Sequence, residues 1–152
     1  MKVVLDTNCY ISRLLTPNGG GAKLVDMMIR GKLQVFASEK QIEELLRVVK
    51  EQFQEPKKPE KYIPLEVANA LVVLIRAKAE VIPDRRMIKS SGDTDDNWII
   101  SIAINARADI LVSQNRNHIY QEILGKSTKI RVMRIAEALN ELAPKKKVTK
   151  KR

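Results

Sequence analysis

The sequence has few residues of the kinds that mark secreted or membrane proteins. Cys9 is the only cysteine, so no disulfide can form within the chain and a reducing compartment is expected. No run of about 18 apolar residues occurs, which argues against a membrane-spanning helix. No secretory signal pattern precedes the first apolar run. These absences predict a cytoplasmic protein without a membrane segment.

Positive charge is concentrated at the end of the chain. The net charge is +10 for 152 residues, and six of these charges lie in the last eight residues, which leaves four for the rest. A chain of this length fits one domain, which we expect to span residues 1–143. The basic tail, residues 144–152, is expected to be a disordered end, with an arm that grips phosphates as the alternative.

Short apolar runs alternate with stretches of helical periodicity along the chain. The run from Val3 to Leu5 is short and β-branched, which predicts a buried strand. Strands separated by helices indicate a parallel sheet with helices on both faces. Further strands are predicted over 33–37, 81–83, 108–113 and 129–133. Helices are predicted over 22–30, 39–53, 64–79, 94–107, 117–124 and 134–142.

Loop signals separate these elements. Gly19, Gly20 and Gly21 predict a flexible loop, and Gly31 is expected to end the helix that follows. Residues 54–63 form a polar, proline-broken connection, and residues 84–93 are expected to be a loop.

Acidic and polar residues follow several of the predicted strands. They are Asp6, then Glu43 and Glu44, then Asp93, Asp95 and Asp96, and finally the segment 113–117. In a parallel sheet these places can converge on one edge, where carboxylates repel each other unless a cation is bound. Carboxylate oxygens suit Mg²⁺ or Mn²⁺. Each acid also has a purely structural alternative, as a helix cap, a first-turn acid or a solvated helix residue.

These motifs together resemble the PIN-domain family. The similarity rests on Leu5-Asp6-Thr7-Asn8, Ile42-Glu43-Glu44-Leu45, Asp93-Thr94-Asp95-Asp96-Asn97 and the run 108–113, and it extends from residue 2 to about residue 142. The branch with the greatest similarity contains the VapC-like toxins of toxin–antitoxin systems. The resemblance implies an α/β three-layer sandwich whose central parallel sheet has about five strands.

The resemblance also implies a site. It makes Asp6, Glu44 and Asp96 the metal-binding and catalytic acids of a Mg²⁺-dependent ribonuclease. Asp93 and Asp95 match supporting or capping positions, and Thr7 and Asn8 match positions that orient Asp6 and water.

The fourth motif departs from the family pattern. Ser113 is present, but Asn115 stands at the first acidic position and Asn117 at or near the second. An asparagine can offer a carbonyl oxygen to a cation without adding negative charge. Asn115 is therefore a candidate metal ligand, and Ser113 and Asn117 are candidate supporting residues.

Basic residues in predicted loop regions are candidates for contacting RNA phosphates, although basic loops are common on proteins. They are Arg13, Arg85, Arg86, Lys89 and Arg116. Trp98 and Tyr120 could stack on bases, but packing is the expected role for both because aromatic residues make up only 4% of the chain.

Two functions follow as hypotheses. The first is a Mg²⁺- or Mn²⁺-dependent endoribonuclease, the toxin of a toxin–antitoxin pair, with a cognate antitoxin and a homodimer as implied partners. The second is a degenerate PIN domain that binds RNA or a protein without cleaving. The two asparagines and the basic tail motivate the second.

Overall fold

A computed structural model describes residues 1–54, 61–84 and 94–142, with the backbone alone described for residues 94–97. Its strands are β1 (Lys2–Leu5), β2 (Gln34–Ser38), β3 (Glu80–Ile82), β4 (Ile110–Val112) and β5 (Arg131–Met133). Its helices are α1 (Thr7–Leu15), α2 (Gly20–Ile29), α3 (Glu39–Gln52), α4 (Leu65–Lys78), α5 (Thr94–Asn105), α6 (Asn117–Gly125) and α7 (Ile135–Leu142).

The five strands form one parallel sheet in the order β3-β2-β1-β4-β5. The chain moves outward from β1 to β3 and then returns to place β4 on the other side of β1. In such sheets the crevice at the carboxyl ends of the two strands where the order reverses is where ligands bind. Here that crevice lies beyond Leu5 and Val112.

Side chains alternate between the two faces of the sheet and make two separate cores. Val3, Leu5 and Val112 face α1, α2, α3, α4 and α7, whereas Val4 and Leu111 face α5 and α6. All five of these strand residues are fully buried. The predicted three-layer α/β sandwich with a parallel sheet is thereby confirmed.

Helix α3 begins and continues as its sequence predicts. The Ser38 hydroxyl accepts a hydrogen bond from the backbone N–H of Gln41 (3.3 Å) and caps the first turn. Ile42, Leu45 and Val49 then turn one apolar face to the core. The polar residues of α3 therefore lie on the side of the helix that faces away from this core.

The region between β1 and β2 differs from the sequence prediction. Helix α1 was not predicted, and the three glycines do not form a flexible loop, since Gly20 and Gly21 lie in the first turn of α2. A Cβ on Gly21 would lie 2.8 Å from Ser12 Cβ and 3.0 Å from the Cys9 carbonyl oxygen. Gly21 therefore allows α2 to pack closely on α1. Gly31 (φ +74°) ends the helix as predicted.

The other predicted elements are present with ends shifted by a few residues, as is usual for helix and strand boundaries. The predicted edge strand at 81–83 is β3, which does lie at one edge of the sheet. The predicted loops at 54–63 and 84–93 fall largely outside the described residues, as does the basic tail. No helix in the described part of the chain is both long and apolar enough to cross a membrane.

Candidate active site

A cleft of about 260 Å³ opens at the carboxyl edge of the sheet, at the crevice between β1 and β4. Four parts of the chain form its walls: the β1–α1 junction, α3, α5, and the region where α6 begins. The lining residues are Asp6, Thr7, Asn8, Glu44, Arg47, Val48, Gln52, Ile99, Arg116 and Tyr120.

Asp6 is fixed at the centre of this edge by its position in the sheet. Its backbone N–H donates to the carbonyl of Val112 in β4 (2.9 Å), which continues the sheet pairing by one residue. One carboxylate oxygen accepts from the backbone N–H of Thr7 (2.7 Å), so Asp6 also caps α1. The side chain is nearly buried, with 7% of its surface exposed.

Ser113 holds the second carboxylate oxygen of Asp6. Its hydroxyl donates to Asp6 Oδ2 (2.9 Å) and accepts from the backbone N–H of Arg116 (3.3 Å). Since Ser113 is fully buried, this link fixes both the rotamer of Asp6 and the loop that leads to α6. The two oxygens of Asp6 are thereby oriented before any ligand binds.

Glu44 reaches the same cleft from α3 and is half-buried, whereas its neighbour Glu43 is exposed. The helical pattern does not distinguish these two glutamates, whereas the family resemblance selects Glu44. Glu44 is the one that lines the cleft. Arg47 and Gln52 follow Glu44 on the same helix and also line the cleft. Sequence reasoning missed both, although spacings of three and eight residues place them on the side of the helix that carries Glu44.

The remaining predicted acids lie wholly or partly outside the described residues. Asp93 is not described, and for Asp95 and Asp96 only the backbone is, in the first turn of α5. Asp96 lies one helical turn before Ile99, which lines the cleft. Among the residues whose side chains are described, no group of three or more His, Cys, Asp or Glu is placed to hold a metal ion.

Thr7 and Asn8, the two residues expected to support Asp6, both line the cleft. Thr7 is buried at the first turn of α1, and Asn8 is exposed. The hydroxyl of Thr7 has no hydrogen-bond partner in the described part of the chain. A buried hydroxyl without a partner is costly, and Thr7 is one of the residues that line the cleft.

The segment after β4 presents a cation to the cleft. Arg116 lines it, whereas Asn115 is exposed and is not among the described residues that form its walls. Asn117 is half-buried at the start of α6. Arg116 thus belongs to the site by position, and the predicted ligand role of Asn115 gains no geometric support.

The other basic candidates lie elsewhere. Arg13 makes an ion pair with Asp26 of α2 (2.8 Å), away from the described walls of the cleft. Arg85, Arg86 and Lys89 fall outside the described residues.

Two groups near Asp6 are buried and do not line the cleft. Burial raises the pKa of the Cys9 thiol well above its usual range, and the Asp6 carboxylate adds to this effect. The Tyr10 hydroxyl pKa is also raised by burial. Burial and the raised pKa both disfavour the thiolate, so Cys9 is a packed side chain and not a candidate nucleophile.

Comparison with known proteins identifies the family. The sequence profile described as the PIN domain matches residues 2–117. A protein of Methanocaldococcus jannaschii, "Uncharacterized protein MJ1680", is 30% identical over 114 residues, which are 73% of this chain and 69% of that protein.

A solved structure shares the fold. A chain of the Rickettsia felis complex titled "VapBC2 … bound to a DNA fragment from their promoter" superposes with a TM-score of 0.56 over 88% of this chain and 98% of that chain. Sequence identity is 15%, so this likeness concerns the fold alone. The profile match covers most of the chain, and the acid-bearing edge of the sheet lies within it: this protein belongs to the PIN-domain family, whose members are generally nucleases.

Proposed function

We propose that this protein is a divalent-metal-dependent ribonuclease. The observation that carries the proposal is the convergence of Asp6 and Glu44, 38 positions apart in the sequence, on one cleft at the switch point of a parallel sheet. The membership in a family of nucleases supports the same reaction class.

The residues that line the cleft suit a hard cation. Asp6 and Glu44 supply carboxylate oxygens, which Mg²⁺ and Mn²⁺ prefer. The Thr7 hydroxyl, which lacks a partner within the described residues, can accept a hydrogen bond from water. Asp96, one turn before Ile99 on α5, is the proposed third carboxylate. A metal bound there would supply a Lewis acid that lowers the pKa of water and polarises a phosphodiester.

The protein's own groups orient the reaction. Hydrogen bonds from Thr7 N–H and Ser113 Oγ hold both oxygens of Asp6 in place. Arg47 and Arg116 line the same cleft and carry the positive charge that binds phosphate oxygens. A guanidinium has five N–H donors, so the ion pair of Arg47 with Glu51 (3.4 Å) is compatible with a phosphate contact.

A toxin role in a toxin–antitoxin pair is the biological setting that we propose. The fold likeness to a chain of VapBC2 supports it. An antitoxin covering the cleft, a homodimer and a cytoplasmic location belong to this proposal. The antitoxin is tested by co-purification with the product of any small neighbouring gene, the homodimer by light scattering, and the location by cell fractionation.

The first prediction concerns Asp6 and Glu44. Asp6→Asn and Glu44→Gln keep the size of each side chain and remove its charge. We expect each to lower single-turnover cleavage of a fluorescent RNA in Mg²⁺ or Mn²⁺ by roughly 100-fold or more, because a bound metal contributes several kcal/mol to the transition state. Mn²⁺ binding measured by calorimetry should weaken in parallel.

Asp109→Asn and Glu66→Gln are the matched controls. Asp109 lies at the opposite edge of the sheet, where its carboxylate accepts from the backbone N–H of Lys2 (2.8 Å), and Glu66 is exposed on α4. Both should cleave as the wild type does. Cleavage by Asp6→Asn at the wild-type rate would exclude Asp6 from the metal site.

The second candidate function is RNA binding without cleavage. It is favoured by Arg47 and Arg116, which place two cations in the cleft with the two carboxylates, and by the exposure of Asn115. This function predicts RNA binding that is indifferent to Mg²⁺ and no release of heat with Mn²⁺. Metal-dependent cleavage that is lost in Asp6→Asn rules it out.

A further inference from the structure

A second groove, of about 240 Å³, adjoins the active-site cleft. It is lined by Lys40, Glu43, Glu44, Arg47 and Trp98. Glu44 and Arg47 line both the groove and the cleft. The two are therefore continuous along α3, and a chain that crosses the cleft can extend into the groove.

Trp98 gives this groove an aromatic wall. It is half-buried on α5, and the next residue, Ile99, lines the cleft instead. The Lys40 ammonium lies over the Trp98 ring at 5.3 Å from its centroid. Such a cation–π contact stabilises the ring and its cation together. An indole that lines an open groove beside a lysine and an arginine combines the two groups that hold single-stranded nucleic acid.

The charges of the groove fit a nucleotide better than a purely apolar ligand. Lys40 and Arg47 can face phosphate oxygens, while the indole supplies a surface for a base. The contact between Glu43 and Lys40 is long (3.9 Å) and both side chains are exposed, and such pairs are weak. Exchange of this contact for a phosphate therefore costs little.

We propose that the groove is a nucleotide subsite, in which Trp98 stacks on a base of single-stranded RNA next to the nucleotide whose phosphate lies in the cleft. Lys40 and Arg47 neutralise the RNA backbone at this subsite. The inference rests on the proposed ribonuclease function and adds to it the position at which the enzyme holds its substrate. It also reverses the sequence expectation that Trp98 only packs within the protein.

Trp98 is the single tryptophan of the chain, so its fluorescence reports this site alone. The experiment uses the full chain carrying Asp6→Asn, which suppresses cleavage, titrated at low salt in Mg²⁺ with an eight-nucleotide RNA of mixed sequence. We expect saturable quenching of Trp98 emission, with the same midpoint as the anisotropy of a dye-labelled copy of that RNA.

Variants in the same background test the energy of stacking. Trp98→Ala should weaken RNA binding by about 5- to 150-fold, the range for loss of one stacked base. Trp98→Phe keeps a π face and should restore most of the affinity. Lys40→Ala should lower the slope of log K against log salt by about 0.7, which corresponds to one phosphate contact with a single strand. Tyr62→Ala removes an aromatic side chain that is 46% exposed and lies outside the described walls of both sites, and it should bind as the parent does.

The possible outcomes distinguish failure of the proposed nucleotide subsite from failure of the proposed ribonuclease function. RNA binding seen by anisotropy without any change in Trp98 emission contradicts the subsite, and this result needs no variant at position 98. Equal affinity of Trp98→Ala, Trp98→Phe and their parent, with unchanged thermal melting, also contradicts it, even if the wild type cleaves RNA. Absence of both cleavage by the wild type and RNA binding would overturn the proposed function together with the subsite.

Discussion

At the scale of single residues, buried polar groups tie the site together. Gln41 is 2% exposed, and its side-chain amide donates to the carbonyl of Leu5 (2.6 Å), the residue directly before Asp6. Glu44 lies three residues further along α3. One hydrogen bond therefore joins the strand that carries Asp6 to the helix that carries Glu44.

Substitutions of Gln41 distinguish the contribution of this hydrogen bond to stability from its role in positioning the acids. The side-chain oxygen of Gln41 is buried without a partner in the described part of the chain, which offsets part of what the amide contributes. We expect Gln41→Leu to lower the free energy of unfolding by only about 1 kcal/mol or less. Gln41→Glu should cost about 2 kcal/mol or more, because a carboxylate would be buried against a carbonyl oxygen.

Urea denaturation at pH 7 measures both effects. If Gln41 positions the acids, Gln41→Leu should also weaken Mn²⁺ binding by about 10-fold, the lower end of the range for groups that support metal ligands. Gln41→Leu with unchanged Mn²⁺ affinity would show that the bond serves stability alone.

At the scale of elements, an exposed ion pair joins α3 to α4. The guanidinium of Arg76 donates through both terminal nitrogens to the two carboxylate oxygens of Glu39. Hydrogen bonding to Arg76 lowers the pKa of Glu39, and the same contact raises the pKa of Arg76. This pair lies at the start of the helix that carries Glu44.

The lowered pKa of Glu39 determines how the contribution of the ion pair to stability depends on pH. A lowered pKa in the folded state means that the pair contributes stability above the pKa of Glu39 in the unfolded chain, and that the contribution is lost as pH falls through the folded value. We expect Glu39→Gln to lower the urea midpoint slightly at pH 7, and we expect this difference from the wild type to shrink as the pH falls toward 3. The effect is small because the pair is exposed. A midpoint difference that persists unchanged at pH 3 would mean that the ion pair is not its cause.

The elements themselves were largely predictable, because local patterns determine them. In the described part of the chain, all five strands and six of the seven helices follow from apolar periodicity, caps and stop signals. The helix that the sequence pattern does not predict, α1, directly follows β1, and its cap is Asp6, which is also the candidate metal ligand. Adjacent glycines predict a loop, because a local pattern does not reveal that α1 and α7 approach Gly20 and Gly21 closely. A Cβ on Gly20 would lie 2.6 Å from Ile135 Cγ2.

At the scale of the whole molecule, charge is distributed unevenly, with six of the ten net positive charges in the last eight residues. The last described helix, α7, ends at Leu142. We expect deletion of residues 144–152 to leave thermal melting unchanged and to reduce the slope of log K against log salt for RNA binding by up to about 4, since each phosphate contact with a single strand contributes about 0.7.

A full-length variant with the six basic tail residues replaced by glutamine controls for chain length. It should behave as the deletion does. A deletion that melts at lower temperature would mean that the tail packs on the domain, and an unchanged salt slope would remove the tail from RNA binding.

The sequence by itself determined the α/β class, the succession along the chain of the five strands and of every described helix but α1, and the identity of Asp6 as the acid at a strand end. These follow from local periodicity, because buried parallel strands and one-sided helices leave separate apolar patterns. Only the tertiary structure decided which polar residues share a space: Glu44 with Arg47 and Gln52 in the cleft, Arg116 rather than Asn115 on its wall, and Trp98 in the adjoining groove. The periodicity of a polar helix face does not indicate which other elements will lie next to it. Only the packing of α3, α5 and α6 around the switch point brings these side chains together.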